Sequence, residues 1–462
     1  MKPASLRASS KKLPLAGFLP WLLLLAFAMS GWKVWKRESS PDFHPLTQAA
    51  VAPASTPKFA KSDGALAAKR SPVVQHPDKR LIFDAGFVSA APGQAVHAPS
   101  IVELANGDLR AVWFSGSREG ARDVTIQSAV MDAASLRWGA ESTLFERHQI
   151  ERSLWRYVKK IGNPVIARAP DGSLHLWMVN VSLGGWAGSS LSWARSVDDG
   201  ATWSSPRRLV ASPFLNISTL VKGAPFAYAN GQIGLPVYHE FVAKLGEVLR
   251  LDAEGRVTDK VRIAGSQGSL QPVVLVTGAK TAWAYLRSGT AAALIASHTD
   301  DAGKTWSLAQ ASQLPNPDSA LAGLIGSDGT RWLALNPTTD NRETLALASS
   351  QGAIGMDVTS VWNVEASTQP ERRLTITEYE ALLGKELMAQ GVAPEKTSAY
   401  IASARRQLCG PERCAQEFSY PYLLQSRDGH IHLVYTWHRT RIKHVRLDPI
   451  QFDRVSNVAA AH

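Results

Sequence analysis

From Leu81 onward the chain alternates short apolar runs with polar turns. SIVELANGDLRAVWF (Ser100 to Phe114), NPVIARAPDGSLHLWMV (Asn163 to Val179), AYANGQIGLPVY (Ala227 to Tyr238), GLIGSDGTRWLALN (Gly323 to Asn336) and YLLQSRDGHIHLVYTW (Tyr422 to Trp437) share one layout. In each, apolar residues flank an Asn-Gly or Asp-Gly pair, whose turn geometry suits two antiparallel strands, so each run predicts a β-hairpin. Hairpins recurring along so much of the chain exceed what one sandwich needs, and they predict repeated sheets arranged as a β-propeller. One segment breaks the rhythm. Leu374 to Gly410 carries helical periodicity, with a first run from Thr377 or Glu378 to near Gly391 and a second over Lys396 to Leu408. It reads as an insertion between blades, or as a lid over a site.

Two turns share a finer signature. SVDDGATW places Ser196, Asp198, Gly200, Thr202 and Trp203 at the end of a strand-like run, and HTDDAGKTW repeats it with Thr299, Asp301, Gly303, Thr305 and Trp306. An Asp side chain at the third position can accept turn amides, Gly supplies a backbone that a Cβ resists, and Trp gives an apolar plate. Weaker echoes end at Trp138 and Trp362. These aspartates read as latches of the fold, away from any catalytic chemistry.

Such turns resemble the Asp-box, or BNR, repeats of the sialidase (neuraminidase) superfamily, and the likeness runs from about Ala85 to Arg446. The resemblance implies an all-β, six-bladed propeller over 77–455, with the helical insertion at about 374–410. It also implies action on an acidic glycan bearing a sialic-acid-like sugar, with exo-sialidase hydrolysis as the leading expectation. The repeat marks the fold more than the chemistry.

The resemblance can be carried over residue by residue. Sialidases hold a sugar carboxylate with arginines, attack with a tyrosine assisted by a glutamate, and protonate with an Asp. AYLRSGTAAALIASHTDDAGKTW places Arg287 at one carboxylate-binding position, and NPTTDNRETLALASS places Arg342 at another. Elsewhere the pattern changes. His97, in VHAPSIVEL, stands where the first arginine belongs. Phe418 occupies the place of the nucleophile, so Tyr420 in EFSYPYLLQ is the substitute. No acidic residue lies between Val261 and Arg287, leaving Gln271 as the nearest polar group to the assisting position. The acid is expected among Arg118, Glu119, Arg122 and Asp123 in WFSGSREGARDVTIQSA, with Asp123 or Glu119 as donor and Arg118 as a sugar contact. Tyr157, Tyr238, His239 and Arg439 complete the candidate binding set. A propeller carrying His, Tyr and Arg also resembles some uronic-acid polysaccharide lyases, in which His97, Tyr157, His239 and Arg287 would neutralise a uronate and remove its α-proton. A non-catalytic glycan binder is the third reading. No metal or cofactor is expected.

Charge and composition then place the chain. The formal charge is +11, of which residues 1–80 carry +9, so the basic character belongs to the N-terminal tail and argues against a nucleic-acid partner. Lys2, Arg7, Lys11 and Lys12, within 1–12, precede Leu13 to Trp32, an uncharged stretch long enough to span a bilayer, and Lys33, Lys36 and Arg37 follow it. Two readings compete: a signal peptide cleaved near Ala26-Phe27-Ala28, or an uncleaved signal anchor, which the length and the flanking Trp21 and Trp32 favour. The expected protein is therefore single-pass in the plasma membrane, with the propeller in the periplasm or outside. Residues 33–76, rich in Ala, Pro, Ser and Lys, read as a disordered linker. The two cysteines, Cys409 and Cys414, flank a Gly-Pro turn and are expected to pair, with two free thiols as the alternative.

Overall fold

The computed structural model describes residues 20–29, 40–45, 73–75, 83–88, 91–212, 216–290, 292–367 and 372–449. It divides into two units, 1–40 and 41–462. Of the first, 20–29 and Ser40 are described, and 20–29 is helical. Among the described residues no helix is long and apolar enough to cross a membrane; the rest of the expected 13–32 span lies outside them.

The second unit is a six-bladed β-propeller. Its six main sheets are antiparallel meanders whose inner strands are Ala95–Glu103, Lys160–Arg168, Leu220–Val221 with Phe226–Ala227, Ser269–Val276, Ala322–Ile325 and Phe418–Gln425. Inner strands pack beside one another around the ring, except that the inner strand of blade 4 packs on Ile233–His239 and Leu245–Leu251 of blade 3, and the sixth meets the first, closing the ring. Phe83–Phe87, from the N-terminal side, pairs with Arg441–Leu447 as the outer strand of blade 6, so closure joins the two ends of the propeller. A closed ring leaves no central edge strand to recruit another chain. Tryptophans on the second strands of five blades, Trp113, Trp177, Trp283, Trp332 and Trp437, fill the space between sheets. Trp113, Trp177 and Trp437 are completely buried.

Two pieces of the 33–76 stretch belong to this unit rather than to a free linker. Val73–Gln75 adds a parallel strand to the outer edge of blade 5. Phe43 is buried against Phe226, Tyr228 and the Gly303 turn.

The latch turns behave as the signature predicts. Asp198 accepts from the Thr202 amide at 2.9 Å, the Thr202 hydroxyl at 2.6 Å and the Ser196 hydroxyl at 2.7 Å. Asp301 repeats the pattern with Thr305 (2.8 and 2.6 Å) and Thr299 (2.8 Å), so Thr299 does the work of Ser196. Both turns join a third to a fourth strand. In a meander such turns share a face with the first-to-second hairpins, and the second-to-third loops lie on the opposite face.

The helical insertion is Ile376–Ala389 and Pro394–Leu408. The first helix starts slightly earlier than its periodicity suggests, because Thr375 and Glu378 form a capping box. Tyr379, Leu383, Leu387, Tyr400 and Ala404 share a core cluster with Phe418 and Trp437, which makes the insertion a packed buttress of blade 6. Cys409 and Cys414 are disulfide-bonded at its end.

Candidate active site

The inner strands carry a second repeat that the hairpin pattern conceals. Ala98-Pro99, Asn163-Pro164, Gln271-Pro272 and Tyr420-Pro421 occupy matching places in blades 1, 2, 4 and 6. At each, the ladder register slips by a bulge, and the residue before proline has a left-handed φ of 52°, 40°, 51° and 53° respectively. Proline has no N–H to give the ladder, and a bulge absorbs that loss while re-aiming the neighbouring side chain. Blade 5 adds Asp318, at φ 50°, just ahead of its inner strand. Blade 3 interrupts its inner strand with Gly223-Ala224-Pro225, where a Cβ on Gly223 would stand 2.1 Å from the Pro272 carbonyl oxygen. Strained backbone of this kind persists only where the surrounding structure holds it.

The re-aimed side chains meet at one mouth, on the face opposite the latches. Asn163 Nδ2 and Gln271 Nε2 each donate to the Tyr238 hydroxyl at 3.4 Å, and Gln271 Nε2 also reaches the Tyr420 hydroxyl at 3.4 Å. Arg287 donates from Nη1 to Gln271 Oε1 at 3.1 Å and from Nε to Asp318 Oδ1 at 2.5 Å. Arg342 Nη2 donates to the Asp318 carbonyl at 3.0 Å, and its Nη1 lies 3.6 Å from Glu417 Oε1. Arg439 Nε donates to Glu417 Oε2 at 2.9 Å, and its Nη1 to Glu119 Oε2 at 3.2 Å. One polar chain thus runs around the mouth, with arginines from blades 4, 5 and 6.

Burial and charge set the protonation states. Burial opposes the Arg287 charge, but Tyr420 and Asp318 outweigh it and hold the guanidinium protonated. Burial likewise works against the Glu417 carboxylate, and Arg439 with Arg342 brings its pKa below the usual range. His97, 4% exposed, is kept neutral by burial and then by Arg439, Arg342, Lys222 and Arg287. Its ring lies 4.2 Å from that of Tyr420, and among the described residues its buried Nδ1 has no hydrogen-bond partner. Lys222, 2% exposed, donates to the Pro421 carbonyl at 2.8 Å, and burial lowers its pKa to about 7.

The structure gathers Arg287, Arg342, Arg439, Tyr238, Tyr420, His97 and Glu119. Tyr420 arrives through the bulge rather than through simple strand alternation, and Phe418 turns into the core at 1% exposed. Asp123, an expected donor, is exposed, and its carboxylate takes the Ser117 amide at 2.9 Å and the Ser117 hydroxyl at 3.0 Å, closing its own loop. Arg118 is exposed on that loop. Tyr157 is 47% exposed, and among the described residues no hydrogen bond or ring contact joins it to the chain of polar groups. His239 has both nitrogens committed to backbone, Nδ1 to the Ser218 carbonyl at 3.0 Å and Nε2 to the Val242 amide at 3.4 Å. Lys222, Asp318, Glu417 and Asn163 were missed by residue-type reasoning. The recurring X-Pro in the inner strands was the signal that pointed to the level of the mouth.

A closed ring of six four-stranded units with latch turns on one face and an arginine-lined mouth on the other defines the sialidase-like superfamily of propellers. The family description "BNR repeat-like domain" matches residues 107–433, and the chain belongs to that family. No curated protein matches the sequence. Among solved structures, the fold is similar to the Hadza microbial sialidase Hz136, at 13% identity and a TM-score of 0.55, covering 77% of this chain and 66% of that one. It is similar to a protein of unknown function from Dyadobacter fermentans (13% identity, TM-score 0.53, 80% and 98% covered). A leech intramolecular trans-sialidase complexed with 2,7-anhydro-Neu5Ac is also similar, at 12% identity and a TM-score of 0.53 over 78% and 69% of the chains. At such identities the likeness shows the fold alone.

Proposed function

We propose that the propeller binds an acidic glycan and hydrolyses it in the manner of an exo-sialidase. One observation carries this reading: three arginines from three successive blades, Arg287, Arg342 and Arg439, are tied through Asp318 and Glu417 into one polar network, which reaches the Tyr420 hydroxyl through Gln271. Guanidinium groups suit a planar carboxylate because each offers paired donors in a fixed fork. Asp318 and Glu417 hold the arginine stems in place before any sugar arrives, so little reorganisation accompanies binding. In this reading the three cations fix the carboxylate, Tyr238 and Asn163 contact the ring of the sugar, and Tyr420 faces the anomeric carbon. Incubation of the soluble domain, residues 77–455, with a panel of acidic glycans tests it. Release of a reducing acidic sugar supports hydrolysis, and no release from any member rejects it.

A second reading has its own support. The partner of Tyr420 is the amide of Gln271, which cannot take the phenol's proton, whereas neutral His97 lies against the ring. A His and a Tyr beside a carboxylate-binding cluster suit abstraction of the α-proton of a uronate. Lyase action would create an unsaturated product and new ultraviolet absorbance, which hydrolysis does not.

The membrane placement rests on sequence alone: the uncharged 13–32 stretch between basic flanks supports an anchor that holds the propeller in the periplasm or outside.

A further inference from the structure

The hydrolase reading requires a group that protonates the leaving oxygen, and the loop expected to provide it does not present one freely. Five carboxyl groups bear on this question. Asp123 is tied to Ser117, and Glu119 to Arg439. Asp318 is tied to Arg287, and Glu417 to Arg439, Arg342 and Ser419. A carboxylate whose oxygens are already engaged by a guanidinium or by a hydroxyl and an amide is not free to approach a leaving oxygen. Glu240 is different. Among the described residues its carboxyl makes neither an ion pair nor a hydrogen bond.

Its position is nonetheless fixed. Glu240 follows the strand Ile233–His239, two residues after Tyr238, and alternation on an extended chain puts both side chains on one side. Tyr238 points into the mouth, where its hydroxyl meets Asn163 and Gln271. Ser218 then clamps the end of the strand: its hydroxyl accepts the Glu240 amide at 2.7 Å, and its carbonyl accepts from His239 at 3.0 Å. The surroundings agree. Glu240 is half-buried, and burial raises its pKa above the ordinary carboxyl value, with Asp318 adding to the shift and Lys244 and Arg287 opposing it.

We propose that Glu240 is the proton donor of the hydrolytic site, the part expected of Asp123 or Glu119. The inference rests on the hydrolase reading and deepens it. The proton passes from the Glu240 carboxyl to the glycosidic oxygen while the bond from that oxygen to the anomeric carbon breaks, its electron pair leaving with the oxygen. The water that ends on the anomeric carbon returns a proton to the Glu240 carboxylate, restoring the starting state.

Leaving groups provide the test. An aryl glycoside of N-acetylneuraminic acid departs as a stable phenolate without protonation, whereas the lactose of sialyllactose needs it. Glu240→Gln should cleave the aryl substrate within about tenfold of the unaltered protein and lose about 100- to 10,000-fold on sialyllactose, the range for general acid catalysis. The alkaline limb of its kcat/KM profile on sialyllactose should disappear, and Glu240→Asp, which keeps the proton, should recover part of the loss. Equal losses on both substrates, or none on either, overturn the role of Glu240 while leaving the hydrolase reading intact. An unaltered protein that cleaves neither substrate overturns that reading and Glu240's role with it.

Discussion

On the latch face, Asp198 and Asp301 each sit in a turn whose own hydroxyls and amides saturate the carboxylate. On the mouth face, Asp318 and Glu417 meet guanidinium groups from other strands, and among the described residues Glu240 meets none. The same side-chain chemistry therefore does two jobs. Short-range hydrogen bonds depress the Asp198 pKa to about 2, chiefly through the Thr202 hydroxyl and amide. The mouth instead has residues far apart in sequence correcting one another's burial, which is how a site keeps charge ready without spending it on structure. A latch can be read and altered by itself; a mouth residue cannot.

The sharpest way to break this contrast is at the mouth. Arg287→Ala should abolish recognition of the acidic sugar, lowering kcat/KM by about 100-fold or more, because a buried charge-assisted contact is lost and Asp318 is left without its partner. Calorimetry with an acidic monosaccharide checks it, and unchanged affinity would falsify the carboxylate-binding assignment.

Gln271→Glu sharpens the choice between the two chemistries. It places a carboxylate beside Tyr420, so hydrolysis should rise by about tenfold. A rise in unsaturated product instead would favour the lyase.

On the latch side the effects are smaller and concern stability. Asp301→Ala removes acceptors for the Thr305 amide and hydroxyl and should cost about 1–2 kcal/mol, a drop of a few degrees in Tm, with kcat/KM of the folded protein unchanged. Should activity fall while Tm holds, the division between the two faces fails.

The last expectation concerns pH. Near the latch face, Trp138 Nε1 donates to His444 Nδ1 at 3.3 Å, His444 Nε2 to His432 Nδ1 at 2.9 Å, and His432 Nε2 to Ser426 at 2.9 Å, fixing both rings neutral. Burial is the main cause that lowers His432 from 6.5 to about 4 and His444 to about 3. In the unfolded chain these rings take up protons below about pH 6.5, while the folded protein does not until well below that. Their stabilising contribution is thus complete above pH 6.5 and shrinks as pH falls toward 4. Thermal melts across that window should show Tm falling with pH, and His432→Asn should flatten the slope; a flat profile for the unaltered protein removes the effect.

Legibility followed the range of the interactions. Asp-Gly hairpins and the latch turns could be read because every group they need lies within a few residues, as Asp301 with Thr299 and Thr305 shows. Arg287 and Arg342 were legible through a resemblance, since each sits at a fixed offset from a strand pattern. Lys222, Asp318 and Glu417 were not, because nothing near them in sequence shows that they join the polar groups of one mouth. Asp123 drew attention by residue type and loop position, yet its neighbour Ser117 consumes its carboxylate.

By itself the sequence determined the strands, their turns, the latches and the repeated hairpins of a propeller, because backbone hydrogen bonding and side-chain alternation are local; the count of six came through the resemblance. Which charged groups pair, which tyrosine turns into the mouth and which carboxyl stays unpaired were decided only when the ring closed. Closure brings Tyr420 beside Gln271, 149 positions earlier, and the balance of burial against charge at that meeting point exists only in three dimensions.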